Sequence, residues 1–200
     1  MFLNNSLVTP SCSKIGTSPT LLDGFPEEIT GELIFCHQDN LNTDGIYPGK
    51  YTYIDDFTPK QQAEVVMENY DPEFGKIVSS GNILVGGYNF GTGSSREQAA
   101  TSLKYRGIQM VLAGSFSQTY KRNAINNGFL VLETPDLLAD LNNEFNDGAL
   151  SIKTGWIATV NFQKSIIIIN EKKYPICPLG KAAQELIIIG GLENWVKERI

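Results

Sequence analysis

The 200-residue sequence predicts one α/β domain, built on a mixed, partly parallel sheet flanked by helices. Three short apolar segments alternate with two helical segments between residues 83 and 132, a pattern typical of parallel strands joined by crossover helices. Two further apolar segments, 157–162 and 166–169, are separated by a short polar turn and predict an antiparallel hairpin. The first pattern supplies the parallel part of the sheet, and the second supplies the mixed part.

The elements follow from local signals in chain order. After an acidic stretch at 26–28, residues 31–36 predict the first strand, and Pro59 predicts a helix start because proline is favourable at the first helical position. Gly107 and Gly128 are expected to close helices, and Gly190-Gly191 to break one. The full prediction is strands at 31–36, 83–85, 108–113, 129–132, 157–162 and 166–169, with helices at 59–67, from Ser94 to Gly107, at 117–127, after Pro135, and at 179–189 and 192–200.

The segment 86–98 carries the strongest chemical signal. A strand leads into the glycine loop GGYNFGTG, and a helix is predicted to start at Ser94 or Ser95, because each is followed three residues later by Glu or Gln, as in a capping box. The free first-turn amides and the helix dipole would make such a start an anion site. Arg96 is unfavourable for a first helical turn, but its planar guanidinium suits a carboxylate or phosphate.

Ser94 and Ser95 allow two interpretations. In the first, one hydroxyl caps the helix and the other faces solvent. In the second, one of them is a nucleophile or base, and its alkoxide is stabilised by the free amides and by Arg96. The residues alone leave both interpretations open.

Several function classes are disfavoured. A net charge of −6 argues against a nucleic-acid binder, which would present a basic face. No segment approaches the ~20 apolar residues of a membrane span. Arg96 stands where the Rossmann fingerprint needs its third glycine, and the lysine of a P-loop is missing. Cys12, Cys36 and Cys177 form no C-x-x-C pair, so the sequence predicts no metal or cluster ligand set in this chain.

Two motifs resemble those of the aconitase and isopropylmalate isomerase superfamily. The segment NFGTGSSRE at 89–97 resembles its signature, and DNLNTDGIYP at 39–48 resembles a loop motif that precedes it by about fifty residues. Ser115-Phe116 and the segment 123–128 also fit that family's pattern. Finer matches, over about 25–200, are similar to the fungal homoaconitase branch: TDGIYPGKYTY at 43–53, MENYD at 67–71, SREQAAT at 95–101 and GGLENWVK at 190–197.

The resemblance implies an aconitase swivel domain of the β/β/α type at 25–200, similar to the isopropylmalate isomerase small subunit, after a flexible tail or interdomain linker at 1–24. Such a domain is the lid of a hydro-lyase, and its partners are a tricarboxylate and the cluster-bearing domains 1–3 of the same enzyme, with no nucleic acid and no membrane. Those domains would bind the [4Fe–4S] cluster, and this chain would bind none. The implied reaction interconverts homoaconitate and homoisocitrate in lysine biosynthesis, in a soluble enzyme of the mitochondrial matrix. The isolated chain is expected to be inactive.

The resemblance also assigns residue roles. Ser94 would be the catalytic base, Ser95 and Arg96 would bind substrate carboxylates, and Thr43 and Asp44 would support the active-site loop. The specificity loop would contain Lys50, Tyr51, Thr52 and Tyr53. Aconitase has a substrate-binding arginine in this loop, where the present sequence offers only Lys50. Two alternatives stay open: an isopropylmalate isomerase small subunit and a non-catalytic carboxylate-binding module.

Overall fold

The structure is a computed structural model, and it describes residues 20–145 and 148–199. Within them one sheet has the order β4-β3-β2-β1-β5-β6-β7. Its strands are β1 (Glu28–Cys36), β2 (Ile83–Gly86), β3 (Met110–Ala113), β4 (Leu130–Glu133), β5 (Ile152–Asn161), β6 (Ile166–Ile169) and β7 (Lys172–Pro175). Strands β1 to β4 are parallel, and β5 to β7 continue the sheet antiparallel to their neighbours. The predicted mixed α/β sheet is confirmed.

The helices of the described residues lie mainly between the parallel strands and at the chain's C-terminal end. They are α1 (Thr43–Ile46), α2 (Pro59–Val65), α3 (Phe74–Ile77), α4 (Gln98–Tyr105), α5 (Gln118–Asn126), α6 (Pro135–Glu144), α7 (Lys181–Ile189) and α8 (Leu192–Lys197). A single 3₁₀ turn at Gly49–Tyr51 follows α1. The strand–helix alternation from β2 to β4 is therefore the one that the sequence predicts.

Two apolar cores lie on opposite faces of the parallel strands, because successive side chains of a strand point to opposite faces. On β1, Ile34 belongs to the first core, which also contains side chains of α4 and α5. Leu33 and Phe35 belong to the second core, together with the leucines of α6 and side chains of β5 to β7. Because the second core collects residues from both halves of the sheet, the sheet curves around it.

Most local signals act where the sequence predicts. Thr58 and Gln61 form a capping box at the start of α2, and the Ser117 hydroxyl accepts the Tyr120 amide at 3.2 Å at the start of α5. Gly128 follows α5 with a φ of +62°, which glycine adopts at little cost. Helix α2 nevertheless ends at Val65 rather than Met67.

The predicted helix start at Ser94 or Ser95 is wrong. Helix α4 begins at Gln98, and in the described structure its N-cap Glu97 makes no side-chain capping bond. Gly93 has a φ of +98°, outside the helical region, and the Ser94 hydroxyl bonds to Thr43 instead of to an amide of the next turn. Neither serine therefore caps α4.

Other differences are smaller. Strand β7 and the short helices α1 and α3 have no sequence prediction behind them, and β5 begins five residues before the predicted strand at 157. The last helix is described to Lys197, and Ile200 lies outside the described residues. Residues 1–19 of the predicted tail, with Cys12, also lie outside them. Residues 20–24 of that tail are described, and within them the Leu22 amide donates to Gln184 Oε1 of α7 at 2.9 Å.

Gly91→Ala is expected to destabilise the fold strongly. Its φ is +74°, and an added methyl group would lie 2.3 Å from the Tyr120 ring, inside the first core. Left-handed backbone costs about 1–2 kcal/mol for a non-glycine residue, and the clash adds about 1–3 kcal/mol. Urea unfolding of the chain should therefore show a loss of roughly 3 kcal/mol.

Gly155→Ala is the matched control. Its φ is +71°, but nothing lies within 4 Å of the added methyl group, so only the backbone cost of about 1–2 kcal/mol should appear. Equal losses for the two variants would contradict the close approach of Gly91 and Tyr120.

Candidate active site

The candidate active site lies at the carboxyl ends of β1 and β2. Because these neighbouring strands are parallel, the loops that follow them leave the sheet at the same edge. The loops then continue to pair: the Asn40 amide donates to the Tyr88 carbonyl at 2.7 Å, the Gly91 amide to the Leu41 carbonyl at 2.8 Å, and the Thr43 amide to the Thr92 carbonyl at 2.8 Å. The two sequence motifs therefore lie side by side.

Ser94 is exposed, and its hydroxyl lies 3.1 Å from the hydroxyl of Thr43. Thr43 is only 3% exposed, so it provides a fixed partner, and either oxygen can donate. The dipole of α4 adds little at Ser94, because such an effect falls off within the first helical turn and α4 starts four residues later. The anion-site argument from a helix start is therefore wrong for Ser94, while its access to solvent is retained.

Arg96 joins the two motifs through one nitrogen. Its Nη1 donates to Asp44 Oδ1 at 3.1 Å, to the Tyr47 carbonyl at 2.6 Å and to the Thr43 carbonyl at 3.4 Å. The side chain is 16% exposed, so a mostly buried cation is compensated by one carboxylate and two carbonyl groups. In this conformation the guanidinium braces the loop that follows β1.

Asp44 is held on several sides. The Gly49 amide donates to Asp44 Oδ1 at 2.8 Å, and the Asn69 amide group donates to Oδ2 at 3.0 Å. The pKa of Asp44 is lowered from its usual value, first by the Gly49 hydrogen bond, against a smaller opposing effect of burial, and then by Arg96 and Asn69. The charged carboxylate is thus the form that this loop stabilises.

Ser95 is exposed, and its backbone is fixed by α5. The Asn123 side chain donates to the Ser95 carbonyl at 3.0 Å, and the Asn127 side chain donates in turn to the Asn123 carbonyl at 2.9 Å. The asparagines of the segment 123–128, which carry part of the family resemblance, therefore position the serine pair from the neighbouring helix.

The predicted specificity loop carries a paired cation. Lys50 Nζ lies 2.7 Å from Glu68 Oε1, with 58% of the lysine side chain exposed. The Tyr51 hydroxyl donates to the other oxygen of Glu68 at 3.2 Å, and the Tyr51 ring stacks on Phe57 with centroids 5.2 Å apart. Tyr53 is 93% exposed. The loop is therefore anchored at Lys50 and Tyr51, and it exposes an aromatic side chain at Tyr53.

Three supporting residues, Glu68, Asn69 and Asn123, receive no role from the sequence. Their positions fall within two segments that match the family resemblance, MENYD and 123–128. That match was the only available signal, because each partner lies between 18 and 28 positions away in the chain.

No group of three or more His, Cys, Asp or Glu side chains that could hold a metal ion occurs within 20–145 and 148–199. Burial raises the pKa of the Cys36 thiol to about 12, so this cysteine is held neutral in the first core. A buried neutral thiol does not present the thiolate that a cluster ligand requires, so Cys36 is unsuited to that role. In the same part of the chain, no helix is long and apolar enough to cross a membrane.

The Ser94 hydroxyl, the Arg96 guanidinium and the Lys50 ammonium thus belong to one connected set of loops at the edge of the sheet.

The family model for the aconitase C-terminal domain matches residues 14–137. The chain belongs to the aconitase C-terminal domain family. Its fold is that of a solved 3-isopropylmalate dehydratase from Methanocaldococcus jannaschii, with a TM-score of 0.71 and 35% identity, over 86% of this chain and 95% of that one.

Longer relatives share more of the sequence. The chain is 49% identical to a protein named mitochondrial homoaconitase from Candida glabrata, over 98% of this chain and 30% of that protein. A protein of the same name from Yarrowia lipolytica is 49% identical over 90% of this chain and 28% of its own length. The chain thus spans less than a third of the length of these relatives. The resemblance inferred from the two motifs is confirmed.

Asp44→Asn should lower the stability of this swivel-type domain in a pH-dependent way. A lowered pKa in the folded state means that the carboxylate stabilises the fold above the usual aspartate pKa of about 3.9, and that this contribution is lost as the pH falls through the lower folded value. Because 54% of the side chain is exposed, we expect less than about 1 kcal/mol at pH 7.

Urea unfolding at several pH values measures this difference between wild type and variant. The difference in the free energy of unfolding between wild type and Asp44→Asn should shrink as the pH falls from about 4. Asp23→Asn, at an exposed aspartate outside the loop, serves as the charge-matched control. A difference that stays constant or grows on acidification would contradict the assigned role of the Asp44 charge.

Proposed function

We propose that this chain is the swivel domain of a homoaconitase, a hydro-lyase that interconverts homoaconitate and homoisocitrate. The names and identities of its longer relatives support the substrate, and the arrangement around Ser94 supports the chemistry. The longer relatives also support a role beside the cluster-bearing domains of the same polypeptide. Their mitochondrial names favour the matrix as the compartment, where the reaction would serve lysine biosynthesis.

The observation that carries this proposal is the exposed Ser94 hydroxyl, 3.1 Å from the buried hydroxyl of Thr43. A general base must reach the proton that it removes, and Ser94 is open to a bound molecule. Thr43 can donate to the Ser94 oxygen when that oxygen carries negative charge. The pair therefore supplies a base with a built-in hydrogen-bond donor.

In the proposed reaction, Ser94 in its alkoxide form takes the proton from the carbon α to a substrate carboxylate and becomes a neutral hydroxyl. The electron pair of the broken C–H bond forms the double bond as the β-hydroxyl leaves with a proton from an acid of the other domains. Hydration reverses these steps. The [4Fe–4S] cluster of those domains would supply the Lewis acid for the leaving hydroxyl. The described residues supply base, donors and charge.

Charge favours a polyanionic substrate at this edge. Arg96 and Lys50 are cations on loops that are connected through Asp44, because the Gly49 amide beside Lys50 and the Arg96 guanidinium bond to the same carboxylate oxygen. Ser95 lies exposed between Ser94 and Arg96 and offers a further hydroxyl. We assign Ser95 and Arg96 to the substrate carboxylates near the reacting carbon, and Lys50 to the distal one.

A second candidate is the small subunit of an isopropylmalate isomerase, and the fold match to a 3-isopropylmalate dehydratase favours it. Isopropylmalate carries an apolar branch where homoisocitrate carries a longer arm with a third carboxylate. The cation Lys50 in the specificity loop favours the anionic arm. Homoaconitase is therefore the preferred proposal.

Ser94→Ala should abolish turnover without unfolding the domain. Loss of a positioned base lowers rates about 100- to 10,000-fold, so kcat for homoisocitrate should fall by about 1,000-fold in the full-length enzyme while KM changes little. The control is Ser80→Ala, at an exposed serine that precedes β2 and so lies at the opposite end of that strand. Near wild-type kcat in Ser94→Ala would exclude Ser94 as the base. That result would favour the alternative in which this domain is a non-catalytic carboxylate-binding module.

Substrate choice tests the distal contact. Steady-state kcat/KM should be highest for homoisocitrate among homoisocitrate, isocitrate and isopropylmalate, measured on one preparation of the full-length enzyme. Lys50→Ala should lower kcat/KM for homoisocitrate about tenfold, mainly through KM, because one charged contact is lost. A wild-type preference for isopropylmalate would instead support the second candidate.

A further inference from the structure

The segment Met67–Asn69 contacts the candidate active site at three consecutive residues. The Met67 amide donates to the Ile46 carbonyl at 2.7 Å, and Glu68 accepts hydrogen bonds from the specificity loop. Asn69 donates from its side chain to both the carbonyl and the carboxylate of Asp44, at 3.1 and 3.0 Å. No part of the reaction proposed above uses this segment.

The shape of the segment is fixed by a buried anchor. Met67 is fully buried in the first core and has a φ of +63°, a conformation that side-chain-bearing residues rarely adopt. A residue held in such a conformation is over-determined by its surroundings. The anchor turns the chain after α2, so that Glu68 and Asn69 both face the loop that runs from Thr43 to Tyr53.

Glu68 binds two residues of that loop with its two carboxylate oxygens. Oε1 accepts from the Lys50 ammonium at 2.7 Å, and Oε2 accepts from the Tyr51 hydroxyl at 3.2 Å. The Lys50 ammonium also lies over the Tyr51 ring, 4.8 Å from its centroid. Lysine has a long, flexible stem, so without these contacts its charge would sample many positions.

Lys50 keeps the capacity to bind a substrate while it is held. An ammonium group has three N–H donors, and the contact with Glu68 Oε1 uses one of them. The side chain is 58% exposed, so a carboxylate can approach it from solvent. Glu68 therefore holds the Lys50 ammonium in place and leaves donors of that ammonium available to a substrate carboxylate.

We propose that Glu68 is a positioning residue for substrate selection: it fixes the Lys50 ammonium where the distal carboxylate of a tricarboxylate binds. Met67 and Asn69 hold Glu68 in place by joining its backbone to α1 and to Asp44. This inference rests on the proposed function, because it takes Lys50 as the distal contact. Glu68 itself acts through Lys50 and does not touch the substrate.

The test uses Glu68→Ala and Lys50→Ala, alone and combined, in the full-length enzyme with homoisocitrate. Glu68→Ala should raise KM about tenfold and leave kcat within about twofold, because only the position of a binding group changes. In the Lys50→Ala background, adding Glu68→Ala should change KM by less than about twofold, because the residue through which it acts is gone. Glu64→Ala, the same change at an exposed glutamate of α2, should match wild type.

A second measurement does not depend on turnover. Hydrogen exchange of a peptide that covers 49–54, measured in the full-length enzyme without substrate, should be faster in Glu68→Ala than in wild type and Glu64→Ala. Equal exchange in all three proteins would overturn the positioning role.

The kinetic outcomes separate this inference from the function on which it rests. An active wild type with an unchanged or lower KM in Glu68→Ala, or with effects that multiply in the double variant, would overturn the inference alone. A fall in kcat at constant KM would do the same. A wild type that does not turn over homoisocitrate would overturn the proposed function and this inference with it.

Discussion

The bonds of the Arg96 guanidinium hold the candidate active site together. One nitrogen, Nη1, contacts a carboxylate and two carbonyl groups on the loop that follows β1, while the residue itself belongs to the loop that follows β2. A guanidinium that is 16% exposed loses most of its hydration, so these partners are needed to compensate it. The loop after β1 therefore cannot move without leaving a cation uncompensated.

The parallel pairing of β1 and β2 makes this contact possible. Thr43 and Ser94 are 51 positions apart in the sequence, yet they meet because the register of the two strands is continued by the loops beyond them. Gly91 lets that continuation pass against the Tyr120 ring, where an added Cβ would lie 2.3 Å from the ring. The geometry of the candidate site is thus a consequence of strand register, and the helices beside it supply support.

The sequence predicts those parts of the molecule whose causes are local. The short apolar strand segments, the helix start at Pro59 and the helix closure at Gly128 all act over a few residues, and each is found in the structure. The start of α4 was missed because a tertiary contact, from Ser94 to Thr43, replaced the local cap that the spacing suggests. The contact between Glu68 and Lys50 was not predictable in detail, because the family match at MENYD marks the segment but does not name the partner 18 positions away.

Electrostatic balance reconciles the acidic sequence with the anion site that we propose. The net charge of the sequence is −6, yet the two cations of the site are each matched by one carboxylate, Arg96 by Asp44 and Lys50 by Glu68. The two pairs differ in exposure, because the arginine side chain is mostly buried and 58% of the lysine side chain is exposed. A carboxylate arriving from solvent can use the remaining donors of the exposed Lys50 ammonium, whereas at Arg96 the Nη1 donors already hold the loop and the other guanidinium nitrogens are left for a substrate. This difference supports the proposed division of roles, in which the exposed pair binds the variable arm of the substrate and the buried pair also braces the loop.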